Sequence, residues 1–208
     1  MPVRFINISS QANLARYGET NAIWLINFLN YSAITGDAFI RTGYSHLRSS
    51  WGYKKKLAVE VFAQGQYDRG RGLQSRWLGG GGLRYNLVNG ENTELHAGLG
   101  AMYEYEHWLA PETDANVFAN FLKSTNYLSL NLQLNDQVLF RVTQYYQVGY
   151  DQDLSIWRHR LSLDAQLRIA LSEHLAFRTS LDASYESAPI VPIMKTVYYI
   201  NNGILIAF

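Results

Sequence analysis

From Lys56 to Trp108 the chain alternates apolar and polar positions with a period of two, in three consecutive runs. In the first, Leu57, Val59, Val61, Ala63 and Tyr67 oppose Glu60, Gln64, Gln66 and Asp68. In the second, Trp77, Leu83, Tyr85 and Leu87 oppose Arg76, Arg84 and Asn86. In the third, Leu95, Ala97, Leu99, Ala101, Tyr103 and Tyr105 oppose Glu94, His96, Glu104 and Glu106. Successive side chains on a strand point to opposite faces, so this period predicts three strands. The polar face carries carboxylates and arginines where threonine and serine would be ordinary. An apolar outside around a charged inside is the inversion expected of a membrane-spanning barrel. The pattern therefore predicts an all-β, antiparallel up-and-down transmembrane β-barrel for the whole chain, residues 1–208, as a single domain.

The remaining runs follow the same rule with varying clarity. Ile6, Ile8, Ala12 and Leu14 alternate with Phe5, Asn7, Ser9, Gln11 and Asn13, and a turn follows at Gly18–Thr20. Trp24, Ile26 and Phe28 share a face in the next strand, although Leu25 and Leu29 blur it. Gly36 and Asp37 turn the chain into Ala38–Arg48, where Ile40 and Tyr44 stand against Arg41. The Trp51–Lys56 turn holds three consecutive lysines, which read as solvated. Beyond the longest loop, expected near Leu109–Ala115, Leu128, Leu130 and Leu132 oppose Tyr127, Ser129, Asn131 and Gln133. Val138, Phe140, Val142, Tyr146 and Val148 then oppose Arg141, Thr143, Tyr145 and Gln147. The clearest run sets Trp157, Leu161, Leu163, Ala165, Leu167 and Ile169 against Arg158, Arg160, Asp164, Gln166 and Arg168. Leu175, Phe177, Leu181, Ala183 and Tyr185 oppose Arg178, Asp182 and Glu186, and a last strand runs from about Thr196 to Phe208.

Short turns at Asn89–Asn92, Asn135–Gln137 and Ser172–His174 alternate with longer loops at Arg69–Gln74, Leu109–Ala115, Asp151–Ser155 and Ser187–Ile193. Bacterial outer-membrane barrels have this asymmetry, with short turns on the periplasmic side. Phe208, with Ile206 and Ile204 before it in alternation, has the form of a C-terminal signal to the outer-membrane assembly machinery. The count gives about eleven strands, whereas single-chain bacterial barrels have an even number. One ascending strand and an export signal are accordingly expected upstream of Met1, making twelve strands in the complete protein.

Composition changes this picture little. The chain is 48% hydrophobic, yet no window approaches the ~18 uninterrupted apolar residues of a membrane helix. A barrel strand needs only about 9–11 residues to cross, so hydropathy would miss it. Tyrosine and tryptophan, 15 and 5 in number, suit the headgroup level of a bilayer. A net charge of +1 nominates no nucleic acid partner, and the lack of cysteine excludes disulfides and thiolate metal sites.

The segments Ala38–Arg48 (AFIRTGYSHLR), Val61–Gly70 (VFAQGQYDRG), Leu73–Leu87 with its SRWLGGGGLRYNL, Ala97–His107 (AGLGAMYEYEH) and Lys195–Phe208 resemble the YdiY-like family of salt-induced outer-membrane proteins. The resemblance spans roughly Ala22 to Phe208. It implies a β-barrel in the outer membrane of a Gram-negative envelope, with lipids as surroundings. The family has no established activity, so no catalytic residue, cofactor or metal ligand carries over.

Candidate chemistry lies on the inward set: Arg76, Arg84, Arg141, Arg158, Arg160, Arg168 and Arg178, with Glu60, Asp68, Glu94, Glu104, Glu106, Asp164, Asp182 and Glu186. In a barrel of about twelve strands such side chains largely fill the interior, and unpaired charge there is costly. A structural lumen network is thus the first expectation, and a narrow path for small solutes or ions the second. Gly79–Gly82 lacks a phosphate-loop ending and falls inside a strand, where glycine permits bending. The five histidines show no metal spacing. His107 beside Glu104 and Glu106 is a weak cation candidate, and an outward His159 near Ser155 is a remote hydrolase candidate. A soluble lipocalin-like binder would reverse the faces. The expected protein is non-enzymatic.

Overall fold

The computed structural model describes residues 4–35 and 37–206. Phe208, the turn residue Gly36 and the first residues of the chain lie outside them. Eleven strands form one sheet: β1 (Phe5–Tyr17), β2 (Asn21–Ile34), β3 (Asp37–Trp51), β4 (Leu57–Asp68), β5 (Leu73–Asn89), β6 (Thr93–Leu109), β7 (Asn116–Gln133), β8 (Val138–Asp151), β9 (Ile156–Ala170), β10 (Leu175–Glu186) and β11 (Thr196–Ile206). Each strand pairs antiparallel with its sequence neighbours, in the order β1 to β11, so the topology is up-and-down. No α-helix occurs among the described residues; a single 3-10 turn, Arg69–Arg71, links β4 to β5. Gly72 ends that turn at φ 87°, a conformation that suits glycine, and its carbonyl accepts from Leu109 N at 2.8 Å.

The sheet curls tightly. Arg48 on β3 donates to the Tyr145 hydroxyl on β8 at 3.0 Å, and Tyr127 on β7 donates to Glu60 on β4 at 2.8 Å. Strands three and five places apart meet only if one face is concave. Glycines on β5 and β6 allow part of that bend: a methyl on Gly82 would overlap the Leu99 carbonyl of β6.

The register fixes what each face carries. Ser50–Glu60–Gly82–Gly100–Thr125–Gln147 is one concave row across β3 to β8. The concave face holds Arg76, Arg84, Glu94, Glu104, Glu106, Arg160 and Glu186, whereas Leu99 and Leu122 on the convex face are 70% and 72% exposed. The largest fully buried side chains are Lys123, Met102, Glu104, Glu106 and Ser50, so the interior is mostly polar. A small apolar cluster, Leu73, Trp108 and Val191, sits at the long-loop end.

Three expectations change. Trp24, Ile26 and Phe28 share a face, but it is the concave one, opposite Arg48, His46 and Tyr44 of β3; Arg41 stands on the convex face, over the Tyr31 ring. The local pattern was ambiguous there because β2 is apolar on both faces. β7 begins at Asn116, well before the leucine alternation, because Val117 and Phe121 turn inward against the loop-end cluster and Lys123. The longest connection is the one between β10 and β11, residues 187–195, and not the segment 110–115.

Candidate functional site

Within the concave face, charged side chains gather at two levels. At the long-loop level, Arg76 of β5, Glu104 and Glu106 of β6, Lys123 of β7, Arg160 of β9 and Glu186 of β10 form one connected cluster. Arg76 Nε donates to Glu104 Oε2 at 2.9 Å and lies 3.2 Å from Glu106 Oε1. Arg160 reaches Glu104 at 3.3 Å, Glu106 at 2.8 Å and Glu186 at 3.0 Å. Lys123 pairs with Glu104, and Trp108 Nε1 donates to Glu106 at 2.8 Å. Three cations face three carboxylates, so the cluster is neutral. Glu104 and Glu106 are both 0% exposed and Lys123 is 2% exposed, so each charge depends on these partners.

A level nearer the short turns centres on Glu60. Arg48 and Arg84 approach it at 3.4 and 3.5 Å, and the Tyr127 hydroxyl donates to it. The Arg48 guanidinium lies within 6 Å of the rings of Phe62, Tyr127 and Tyr145, a cation–π cage around a desolvated charge. The cavity left between these groups is about 20 Å³, room for about one water. Arg84 and Asn86 also donate to the carbonyl of Tyr53, which draws the lysine turn in over this end.

The connection between β10 and β11 covers the other end. Val191 is buried against Leu73 and Trp108, and Ser187 exchanges hydrogen bonds with the His159 backbone at 2.9 and 3.0 Å. Arg158 pairs with Asp151 at 2.7 Å and donates to the Ala188 carbonyl.

Of the inward residues expected from alternation, Arg76, Glu104, Glu106, Arg160 and Glu186 come together, Glu60 joins Arg84, and Arg158 joins Asp151. Glu94 accepts from Asn131 at 3.1 Å, and Asp68 accepts from the Arg71 backbone beside the bulge that ends β4. Asp164 and Asp182 stand directly opposite each other, as do Arg168 and Arg178; Arg141 neighbours them on β8. None of these last five forms an ion pair among the described residues. Alternation did not find Lys123, Arg48 or Asp151. Lys123 lies within β7 in a stretch whose inward positions Val117 and Phe121 are apolar, and Asp151 is the last residue of β8, but the period of two through His46, Arg48 and Ser50 was a usable signal.

Among the described residues no group of His, Asp and Glu has metal-holding geometry. His107 bonds Asn116 at 2.8 Å and faces away from Glu104 and Glu106. His159 Nδ1 is engaged by the Tyr146 hydroxyl at 2.8 Å on the convex face. Ile204 and Ile206 are exposed there too, while Phe208 falls outside the described residues.

A family model described as "Protein of unknown function, DUF481" matches residues 7–193. No curated protein matches the chain.

Proposed function

The chain belongs to the family of unknown function DUF481, and from that premise we propose that it is a non-enzymatic integral β-barrel of the bacterial outer membrane with a filled lumen. The observation that carries this reading is the inversion of the two faces: Lys123, Glu104 and Glu106 are among the most deeply buried side chains, while Leu99, Leu122, Ile200, Ile204 and Ile206 face outward and are exposed. In water such a convex face would be a large unprotected apolar surface. In lipid it is the expected wall.

Aromatic placement supports the same reading. Tyr31, Tyr67, Trp77, Tyr105, Phe118, Tyr150, Trp157, Tyr185 and Tyr198 all lie on the convex face in the loop-side parts of their strands. Trp51, Tyr85, Phe140 and Phe177 lie on it toward the short turns. Two aromatic belts flanking an aliphatic band match the two interfaces of a bilayer. β1 and β11, the two edges of the sheet, run in the same direction, so they cannot pair antiparallel with each other. β11, with Ile204 and Ile206 outward, is the strand that the assembly machinery would recognise.

The neutral Arg76–Glu104–Glu106–Lys123–Arg160–Glu186 cluster favours a filled lumen over a solute channel, and a charged concave face argues against a lipocalin-like binder. Electrophoresis of detergent-folded protein tests the proposal. The unboiled protein should migrate as a compact band that shifts on boiling; one heat-independent band would contradict it.

A further inference from the structure

Arginine is treated unevenly along the concave face. Arg48, Arg76, Arg84, Arg158 and Arg160 each meet a carboxylate. Arg141, Arg168 and Arg178, on β8, β9 and β10 near the short turns, meet none among the described residues. Arg168 stands directly across from Arg178, and like charges opposed on neighbouring strands destabilise a sheet. Arg141 is directly opposite Gln166, two residues from Arg168 on the same face. Its single polar contact among the described residues is Nε to Asn131 Oδ1 at 3.4 Å, and Asn131 is itself held by Glu94. Among the described residues both terminal nitrogens of Arg141 thus stay unengaged.

Between Arg141 and Arg168 lies a cleft of about 180 Å³ lined by Leu139, Arg141, Gln166 and Arg168, with Arg178 across from Arg168 on the next strand. It is far larger than the 20 Å³ cavity at Glu60 and has room for a small polyatomic ion. The nearest carboxylates on these strands, Asp164 and Asp182, are four residues away along β9 and β10, about 13 Å of strand. We propose that Arg141, Arg168 and Arg178 form an anion site at the short-turn mouth, which takes a phosphate group. Guanidinium forks match phosphate oxygens in a bidentate manner, and a divalent oxyanion supplies countercharge to arginines that pair with no carboxylate among the described residues, Glu94 being two strands away in the row of Arg141. Gln166 adds an amide donor. The site depends on three adjacent strands and needs no closure of the sheet; only the compartment it faces rests on the membrane reading.

Calorimetric titration of the detergent-folded protein tests this, with inorganic phosphate in one arm and phosphatidate mixed micelles in the other. Saturable binding in either arm is expected, and the arm that binds identifies the source as free phosphate or a lipid headgroup. Arg168→Gln and, separately, Arg141→Gln should each weaken binding about tenfold or more. Lys195→Gln, on the opposite loop, should leave it unchanged. A folded wild-type protein that binds in neither arm overturns the site, as do arginine variants that bind like wild type. Because folding is read independently from the heat shift on a gel, loss of the site and failure of the barrel reading give different results.

Discussion

The Tyr127 hydroxyl of β7 donates to Glu60 Oε2 of β4 at 2.8 Å, across the concave side of the sheet and 67 residues away in sequence. The contact needs Gly98. The Tyr127 ring lies against that glycine, and a Cβ there would overlap its atoms. Gly98→Val should displace the ring, strand Glu60 with fewer donors and lower unfolding stability by about 1–3 kcal/mol. Tyr127→Phe, which removes only the hydroxyl, should cost less. Urea unfolding of both variants compares the two. A Gly98→Val protein as stable as wild type would show that the ring is not held there.

Lys123 has Glu104 as its carboxylate partner, while Glu104 keeps Arg76 and Arg160 as well. Lys123→Met removes one charge of a buried set at similar volume and should cost about 3–5 kcal/mol. Adding Glu104→Gln should recover part of that loss, because the cluster is again balanced with one cation and one anion fewer. The cycle is read from unfolding midpoints of the two single variants and the double. Strict additivity would mean that the two groups do not act as a pair.

The concave side of the sheet is filled at two levels, by the charge cluster and by the connection between β10 and β11 over it. Val191→Ser should loosen the connection from Leu73 and Trp108 without opening a path, since Arg160 still spans from β9 to β6 beneath it. Planar-bilayer recordings should show no discrete conductance steps for wild type or for this variant. Regular steps in wild type would favour the channel reading.

Arg168 and Arg178 oppose each other with no carboxylate between them. In phosphate-free buffer Arg168→Gln should therefore stabilise the protein, by about 0.2–1 kcal/mol, as a like-charge cross-strand pair is relieved. Phosphate should raise the melting temperature of wild type more than that of the variant. Equal shifts would argue for a nonspecific salt effect.

Much of the sheet was legible because period-two alternation survives wherever each face meets a uniform surrounding. β4, β5, β6 and β9 are such strands, from Leu57 to Tyr105 and from Trp157 to Ile169. The rule blurs where the concave face becomes apolar. Trp24, Ile26 and Phe28 of β2 face inward, and Phe121 supports Lys123 within a stretch that reads as irregular. Alternation also says which side chains share a face but not which meet across it. Arg48 with Tyr145, and Arg160 with Glu104, are consequences of curl, which no local pattern encodes.

The inverted faces are tested most directly by spin labels, since the chain has no cysteine and single sites can be labelled cleanly. Labels at Leu99→Cys and Leu122→Cys, on protein reconstituted in lipid vesicles, should be relaxed strongly by dissolved oxygen and weakly by a water-soluble nickel chelate. Labels in the exposed loop segment at Glu112→Cys should show the reverse. Strong nickel relaxation at both leucine sites would mean that the convex face meets water, contradicting the proposed bilayer-facing wall.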